Sequence, residues 1–422
     1  MRGLEGRRTV IAIAALGLTA RLAVAAATGL TTPPPPGSDS AEYDTYAWNV
    51  AQGRGYRGPS PDVSDADRPT AYRAPGTSLL WAAFYGVFGH SYALIRIVHC
   101  VLGALTVVIL LAIGSLAFGR TVGLVAALVY ALWPTALLYS SSLLSEVLFT
   151  FFLLAYVLVA LWFASKPHWN MALLAGGVLG AALLTRPTTL FVLPFAVLWA
   201  VWQFRDSRRV LLKALGIPVM AMLCVAPWAL RNYLVLGAFV PFSTGGGDVL
   251  LGSNNRVVAS DPTYYGYWVF PTTALPEFSE ALRAPDDEVA RDRAARALAL
   301  EWLRDNPGLW GRLVFWKLVR VATPFLQPSS PALYRWGMLA SWGPVLVLTI
   351  AGFLPTARQL LASRNPAWLV HMVILHVVPL AAVFWGSSRF RFPIEGLCVL
   401  LASAFALTAS RVYRARVRGR AS

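Results

Sequence analysis

Gly37-Ser38-Asp39-Ser40-Ala41-Glu42-Tyr43-Asp44 follows an apolar run at 9–28, and Arg73-Ala74-Pro75-Gly76 turns the chain into the next apolar stretch. Acids and an arginine beside a membrane surface point to chemistry there. The setting gives the stretch its weight: 57% of the 422 residues are hydrophobic and 13% are charged. With a mean hydropathy of +0.58, this is the composition of an all-α polytopic membrane protein.

Each crossing takes about 20 residues, so apolar runs throughout leave little room for a separate soluble domain, and one membrane domain over 1–422 is expected. Spans are read near 9–28, 92–117, 121–138, 143–164, 169–185, 187–204, 210–231, 333–354, 367–385 and 393–411, about ten transmembrane helices. The formal charge of +16 does not indicate nucleic acid, because the arginines sit in short loops between spans. Arg7, Arg8, Arg120, Lys166, Arg205, Arg208, Arg209, Lys213, Arg358, Arg364 and the 411–420 tail fall on one side, which the positive-inside rule makes cytoplasmic. Both termini are then cytoplasmic, in a plasma (inner) membrane. The start resembles a secretory signal ending at Ala25-Ala26-Ala27, but the long run and the spans after it favour an uncleaved anchor. Cys100, Cys224 and Cys398 lie far apart inside apolar runs and suggest neither disulfides nor a zinc cluster.

The same threading puts two long polar segments, 29–76 and 232–332, on the outer face, and function is expected between them. Pro33 to Pro36 form a stiff tract, a short helix runs from Ser40 to Gln52, and Gly53-Arg54-Gly55 breaks it. The run 77–89 is short for a span and is expected in the interface; a crossing there would invert everything downstream. In the second loop, Pro285-Asp286-Asp287-Glu288 announces a helix ending near Asn306, and 308–322 reads as a helix lying on the membrane. Gly245 to Gly247 read as a flexible loop before a phosphate nest.

Asp39 is the leading candidate for a catalytic base, with Glu42 and Asp44 near enough in sequence to raise its pKa or share a divalent cation; solvated caps of the 40–52 helix are the alternative for all three, and the favoured one for Glu42 and Asp44. Arg73, Arg186, Arg231, Arg389 and Arg391 are candidate ligands for a lipid phosphate, because a guanidinium is always charged and its fork matches phosphate oxygens. Glu146 and Glu395 sit at the outer ends of spans, where an ionisable group is a functional candidate or the partner of an arginine such as Arg389 or Arg391. His371 and His376 are five apart, off the spacing of a helical metal pair, and no protein metal site is expected.

These pieces resemble the multi-spanning C-superfamily glycosyltransferases, in the branch of the protein O-mannosyltransferases and the aminoarabinose transferases. The likeness rests on Asp39-Ser-Ala-Glu-Tyr43, the 47–56 stretch and Tyr72-Arg73-Ala-Pro75-Gly76. It continues through Leu143-Leu-Ser-Glu146, Leu184-Thr-Arg186-Pro187, Pro227-Trp-Ala-Leu-Arg231-Asn232 and Arg389-Phe-Arg391-Phe-Pro393-Ile394. It implies an inverting transfer of a hexose or pentose from a polyprenyl-phosphate-linked donor to an extracytoplasmic acceptor, with Asp39 as base and Glu146 among the supporting acids. Ser40 follows Asp39 where those branches commonly carry a second acid, so a divalent cation is not required; Arg73 replaces a common lysine and keeps its charge. With no large domain after the last span, a cell-envelope glycan or a lipid is as much expected as a protein acceptor. A polyprenyl-phosphate carrier or flippase would instead want ionisable groups at the bilayer midplane, and a non-catalytic scaffold is the third reading.

Overall fold

The computed structural model describes residues 2–60, 67–283, 287–323 and 332–418. Among them the only β pairing is an isolated bridge between Arg57 and Pro69, and the rest of the regular structure is helical. After α1 (Arg2–Ala27), the first polar segment forms α2 (Asp39–Ala51), and the chain then enters α3 (Gly76–Phe88). The membrane bundle continues with α4 (Tyr92–Phe118), α5 (Arg120–Ala131), α6 (Pro134–Ser141), α7 (Glu146–Ser165), α8 (Trp169–Thr185), α9 (Val192–Phe204) and α10 (Arg208–Leu236). The second polar segment carries α11 (Gly246–Ser253), α12 (Arg256–Ser260), α13 (Pro271–Ala274), α14 (Pro276–Arg283), α15 (Glu288–Asp305) and α16 (Pro307–Ala322). The last spans are built from α17 (Ala332–Ala362), α18 (Leu369–Leu375), α19 (Val377–Val383) and α20 (Ser388–Arg418).

Eight helical stretches among the described residues are long and apolar enough to cross a membrane, and the bent pair α5–α6 makes a ninth. At 17 residues, α8 occupies the remaining expected position. The span read at 121–138 is broken, with α5 and α6 meeting at 51°. Pro134 opens α6 and has no N–H to continue the α5 ladder. Carbonyls at this break are taken up by Arg21, fully buried on α1, which donates to Ala131 O at 3.0 Å and to Tyr130 O at 3.5 Å, and within its own helix to Gly17 O at 2.9 Å. No reading of the sequence assigned Arg21 a place. Further along the bundle, α8 and α10 touch at small residues: a side chain at Gly180 would strike Cys224, so position 180 has room only for glycine.

Helix α3, 13 residues long, reaches about 20 Å, short of an apolar core about 30 Å thick. Helix α2 starts because Ser38 caps it, accepting the Ala41 N–H, and because Asp39 and Glu42 complement the positive end of its dipole. Asp287 caps α15 in the same way, accepting from Val289 and Ala290; Pro285 and Asp286 lie outside the described residues, as do the last two residues of the basic tail. On α16, Leu313, Lys317 and Val321 face inward while Trp310 and Phe315 remain exposed, an apolar outer face suited to an interface helix.

Candidate active site

Helix starts and turns from five parts of the chain bring six charged groups together. Asp39 is the first residue of α2, and Glu42 follows one turn later on the same face. Arg73 lies in the turn before α3, Glu146 opens α7, Arg186 follows α8, and Arg389 lies in the first turn of α20. Packing of α3 against α8 brings the Arg73 turn beside Arg186: Gly76 approaches so closely that a Cβ there would stand 2.8 Å from the Leu184–Thr185 backbone.

The charges alternate along a chain of contacts. Glu42 Oε2 accepts from Arg73 Nε at 2.6 Å, and Arg73 Nη2 donates to Asp39 Oδ1 at 2.8 Å. The second Asp39 oxygen, Oδ2, accepts from Arg389 Nη1 at 2.7 Å. Arg389 Nε in turn donates to Glu146 Oε1, the oxygen that also faces Arg186 Nη1 at 2.8 Å. Glu146 is fully buried, and its Oε2 has no hydrogen-bond partner among the described residues.

Burial by itself would raise the Asp39 carboxyl, but Arg73 and Arg389 outweigh it and hold the group well below the usual carboxylate range. Glu42 moves the other way, because desolvation exceeds the pull of Arg73. For Arg73, burial opposes the charge, while Tyr72 and the two acids favour it and push its pKa well above the ordinary value. The guanidinium also lies over the Tyr72 ring, 4.8 Å from its centroid.

Asp39, Glu42, Arg73, Arg186 and Arg389 open onto one cavity of about 1540 Å³, larger than the roughly 300–1,000 Å³ of a single small-molecule site. Its apolar wall includes Leu190, Phe191 and Phe384 at span ends, and Trp268, Phe270 and Trp385 beyond them. Phe191 meets Phe384 edge-on at 6.0 Å, and Trp268 packs against Phe270 at 4.4 Å and Trp385 at 5.5 Å. Sequence reading missed this wall, although the aromatic-dense run 264–270 inside a polar segment was its signal.

The second polar segment is clasped to the first. Glu288 accepts from Thr70 Oγ1 and from the Ala71 N–H, each at 2.6 Å, and the Thr244 N–H bonds Ala71 O. The Gly245 to Gly247 run leads into α11, and the Gly247 N–H is already committed to Asp292.

Three of the residues expected at the site stand elsewhere. Asp44 projects from another face of α2, accepting from Tyr85 Oη at 2.7 Å and pairing with His90 Nε2 at 3.0 Å. Arg231 spends its donors on the carbonyls of Thr70 and Tyr56, both at 2.7 Å, and stacks on Trp228. Arg391 is buried against Glu395 at 2.7 Å and donates to the carbonyls of Val321 and Thr323. Glu395 is thus the partner of Arg391, and its other oxygen accepts from Trp133 and Thr135. Among the described residues no three His, Cys, Asp or Glu side chains converge as a metal-holding group.

The oligosaccharyltransferase AglB from Archaeoglobus fulgidus, solved with an inhibitory peptide and a dolichol-phosphate, superposes on 98% of this chain and 51% of its own, at a TM-score of 0.56 and 15% identity. The apo form of the Archaeoglobus fulgidus oligosaccharyltransferase gives 0.59 at 14% identity, over 98% of this chain and 52% of its own. The chain shares the fold of these two oligosaccharyltransferase structures. The chain spans about half the length of those solved structures. Residues 68–230 match the sequence profile of the family described as dolichyl-phosphate-mannose-protein mannosyltransferase. That window holds Arg73, Glu146 and Arg186, while Asp39 and Arg389 lie outside it. Comparison with curated protein sequences finds no match.

Proposed function

We propose that the protein is an inverting glycosyltransferase of the outer membrane face, moving a sugar from a polyprenyl-phosphate-linked donor to a hydroxyl of a cell-envelope glycan, lipid or protein. The observation that carries the reading is Asp39, held between Arg73 and Arg389 in a cavity that is charged at one part and aromatic at another. A carboxylate and a cluster of guanidiniums are the two things this reaction needs side by side.

In the reaction, Asp39 takes the proton of the acceptor hydroxyl as that oxygen bonds to the anomeric carbon. The bond from that carbon to the phosphate oxygen breaks, and polyprenyl phosphate leaves with the electron pair. Arg73, Arg389 and Arg186 neutralise the charge that develops on the leaving phosphate, the largest service a preorganised site supplies. The cavity has room for both substrates, and holding them together contributes the remainder. Leu190, Phe191 and Phe384, at the ends of spans, offer the prenyl chain an apolar path to the bilayer. Arg231 and Arg391 take no part in this reading, since Arg231 donates to the carbonyls of Thr70 and Tyr56, and Arg391 is buried against Glu395 and the carbonyls of Val321 and Thr323.

The test is transfer of radiolabelled sugar from a panel of polyprenyl-phosphate donors by purified protein, with membrane extract as acceptor. The reading predicts turnover with at least one donor. Binding of the donors without any transfer would contradict it and favour a lipid carrier.

A further inference from the structure

Asp39 is locked in the structure described above: both of its oxygens are taken by the arginines that the leaving phosphate needs. A carboxylate in that state binds a proton poorly. Each of those arginines has a second carboxylate of its own, Glu42 for Arg73 and Glu146 for Arg389. Asp39 is therefore the shared partner, the one that can be given up while both guanidiniums stay paired.

Glu146 carries the sign of where Arg389 goes. Its Oε1 serves two arginines at once, while Oε2, fully buried, serves none among the described residues. An unmet buried carboxylate oxygen is costly and calls for a physical account. Arg389 meets this carboxylate through Nε alone, although a guanidinium prefers a two-pronged fork. Nη2 lies on the same edge of the guanidinium as Nε, so a rotation that brings it to Oε2 and completes the fork turns Nη1 away from Asp39.

We infer that donor binding hands Arg389 from Asp39 to Glu146, so that the base is freed only in the donor-loaded enzyme. Glu146 is then a positioning residue rather than a second acid or base: it receives Arg389, and the donor phosphate fills the place beside Arg73 and Arg389 that Asp39 vacates. No covalent step is involved, and the site passes from base-locked to base-free by exchange of hydrogen bonds. The inference rests on the reading of Asp39 as base. The low proton affinity of Asp39 in the unloaded protein accords with it.

The pH dependence of transfer tests it, because kcat/KM for the donor reports the base in the free enzyme and kcat reports it in the loaded enzyme. The acid limb of kcat is expected at higher pH than that of kcat/KM, with the donor KM falling in step with kcat between the two. In Glu146→Gln the fork is lost, so kcat falls at least tenfold and the two limbs draw together. Coincident limbs in the wild type, or a Glu146→Gln enzyme that keeps both its kcat and the split, would overturn the handover.

Should Asp39→Asn retain full turnover, the base reading itself fails; if that variant is inactive while the wild-type limbs coincide, the base stands and only the handover is wrong. A second readout needs no turnover. Infrared difference spectra on adding undecaprenyl phosphate are expected to show carboxylate bands shifting at both Asp39 and Glu146, the first absent in Asp39→Asn and the second in Glu146→Gln. Unchanged carboxylate bands with the lipid bound would overturn the inference.

Discussion

Asp39 and Arg389 are 350 positions apart in the chain and 2.7 Å apart in space. The first polar stretch after α1 and the opening of the last span thus form one charged unit, with Arg389 reaching on to Glu146. Two carboxylates from different elements share a single guanidinium, and that geometry needs the planar, multi-donor head of arginine.

Arg389→Lys is therefore expected to behave as a loss of function despite keeping its charge. A lysine ammonium is a compact point charge and does not span both carboxylates with a fork. Transfer should fall about 10²-fold, the scale of losing one preorganised donor at a developing oxyanion. Steady-state kinetics with the active donor checks this, and a variant within threefold of wild type would contradict it.

Arg391 is expected to matter for stability and not for the donor. Its guanidinium and the Glu395 carboxylate are both buried and paired. Arg391→Met strands a buried carboxylate and should cost about 3–5 kcal/mol, whereas the double change Arg391→Met with Glu395→Leu should recover most of it. Thermal unfolding in detergent reads the difference, and the donor KM of folded Arg391→Met should match wild type.

Asp44 offers a similar separation of roles. Asp44→Ala removes the acceptor of a buried Tyr85 hydroxyl and loosens α2 on α3, at about 1–3 kcal/mol. Asp44→Asn still accepts that hydrogen bond and should retain transfer. Loss of turnover in Asp44→Asn at unchanged stability would give Asp44 the supporting role that its sequence position suggests.

Glu288 makes stability depend on pH. Burial raises its carboxyl above the ordinary value, against the bonds from Thr70 and Ala71, so the folded protein holds this proton more readily than the unfolded chain. Its contribution is full below the unfolded pKa of about 4.3 and declines as pH rises through the folded value. Glu288→Gln keeps an oxygen for the Ala71 N–H and an amide for Thr70 but does not titrate. Melting temperatures at acid and neutral pH should show the variant gaining on wild type as pH rises; a constant or shrinking difference would contradict the assignment.

Much of the architecture was legible because membrane spans announce themselves by length and apolarity, and α2 because Ser38 and the acids after it mark a helix start. The break at Pro134 was hidden inside a run apolar enough to read as one span. Asp44 lies about 140° around the helix from Asp39, so helical periodicity already separated them, while Glu42, three residues on, shares the Asp39 face. Arg231, Arg389 and Arg391 were indistinguishable in sequence, since each lies near a span end. What divides them is the partner each finds: backbone carbonyls for Arg231, Glu395 for Arg391, and Asp39 with Glu146 for Arg389. Those partners arrive from other helices, and only packing brings them together.

The central claim is that Asp39 takes the acceptor proton between two phosphate-binding arginines. Its most direct test compares wild type with Asp39→Asn for sugar transfer and for binding of undecaprenyl phosphate in the same preparation. The account predicts transfer reduced at least 10²-fold, with lipid phosphate bound as tightly as by wild type or more so, because Arg73 and Arg389 no longer neutralise an acid. Transfer by Asp39→Asn at the wild-type rate would contradict it.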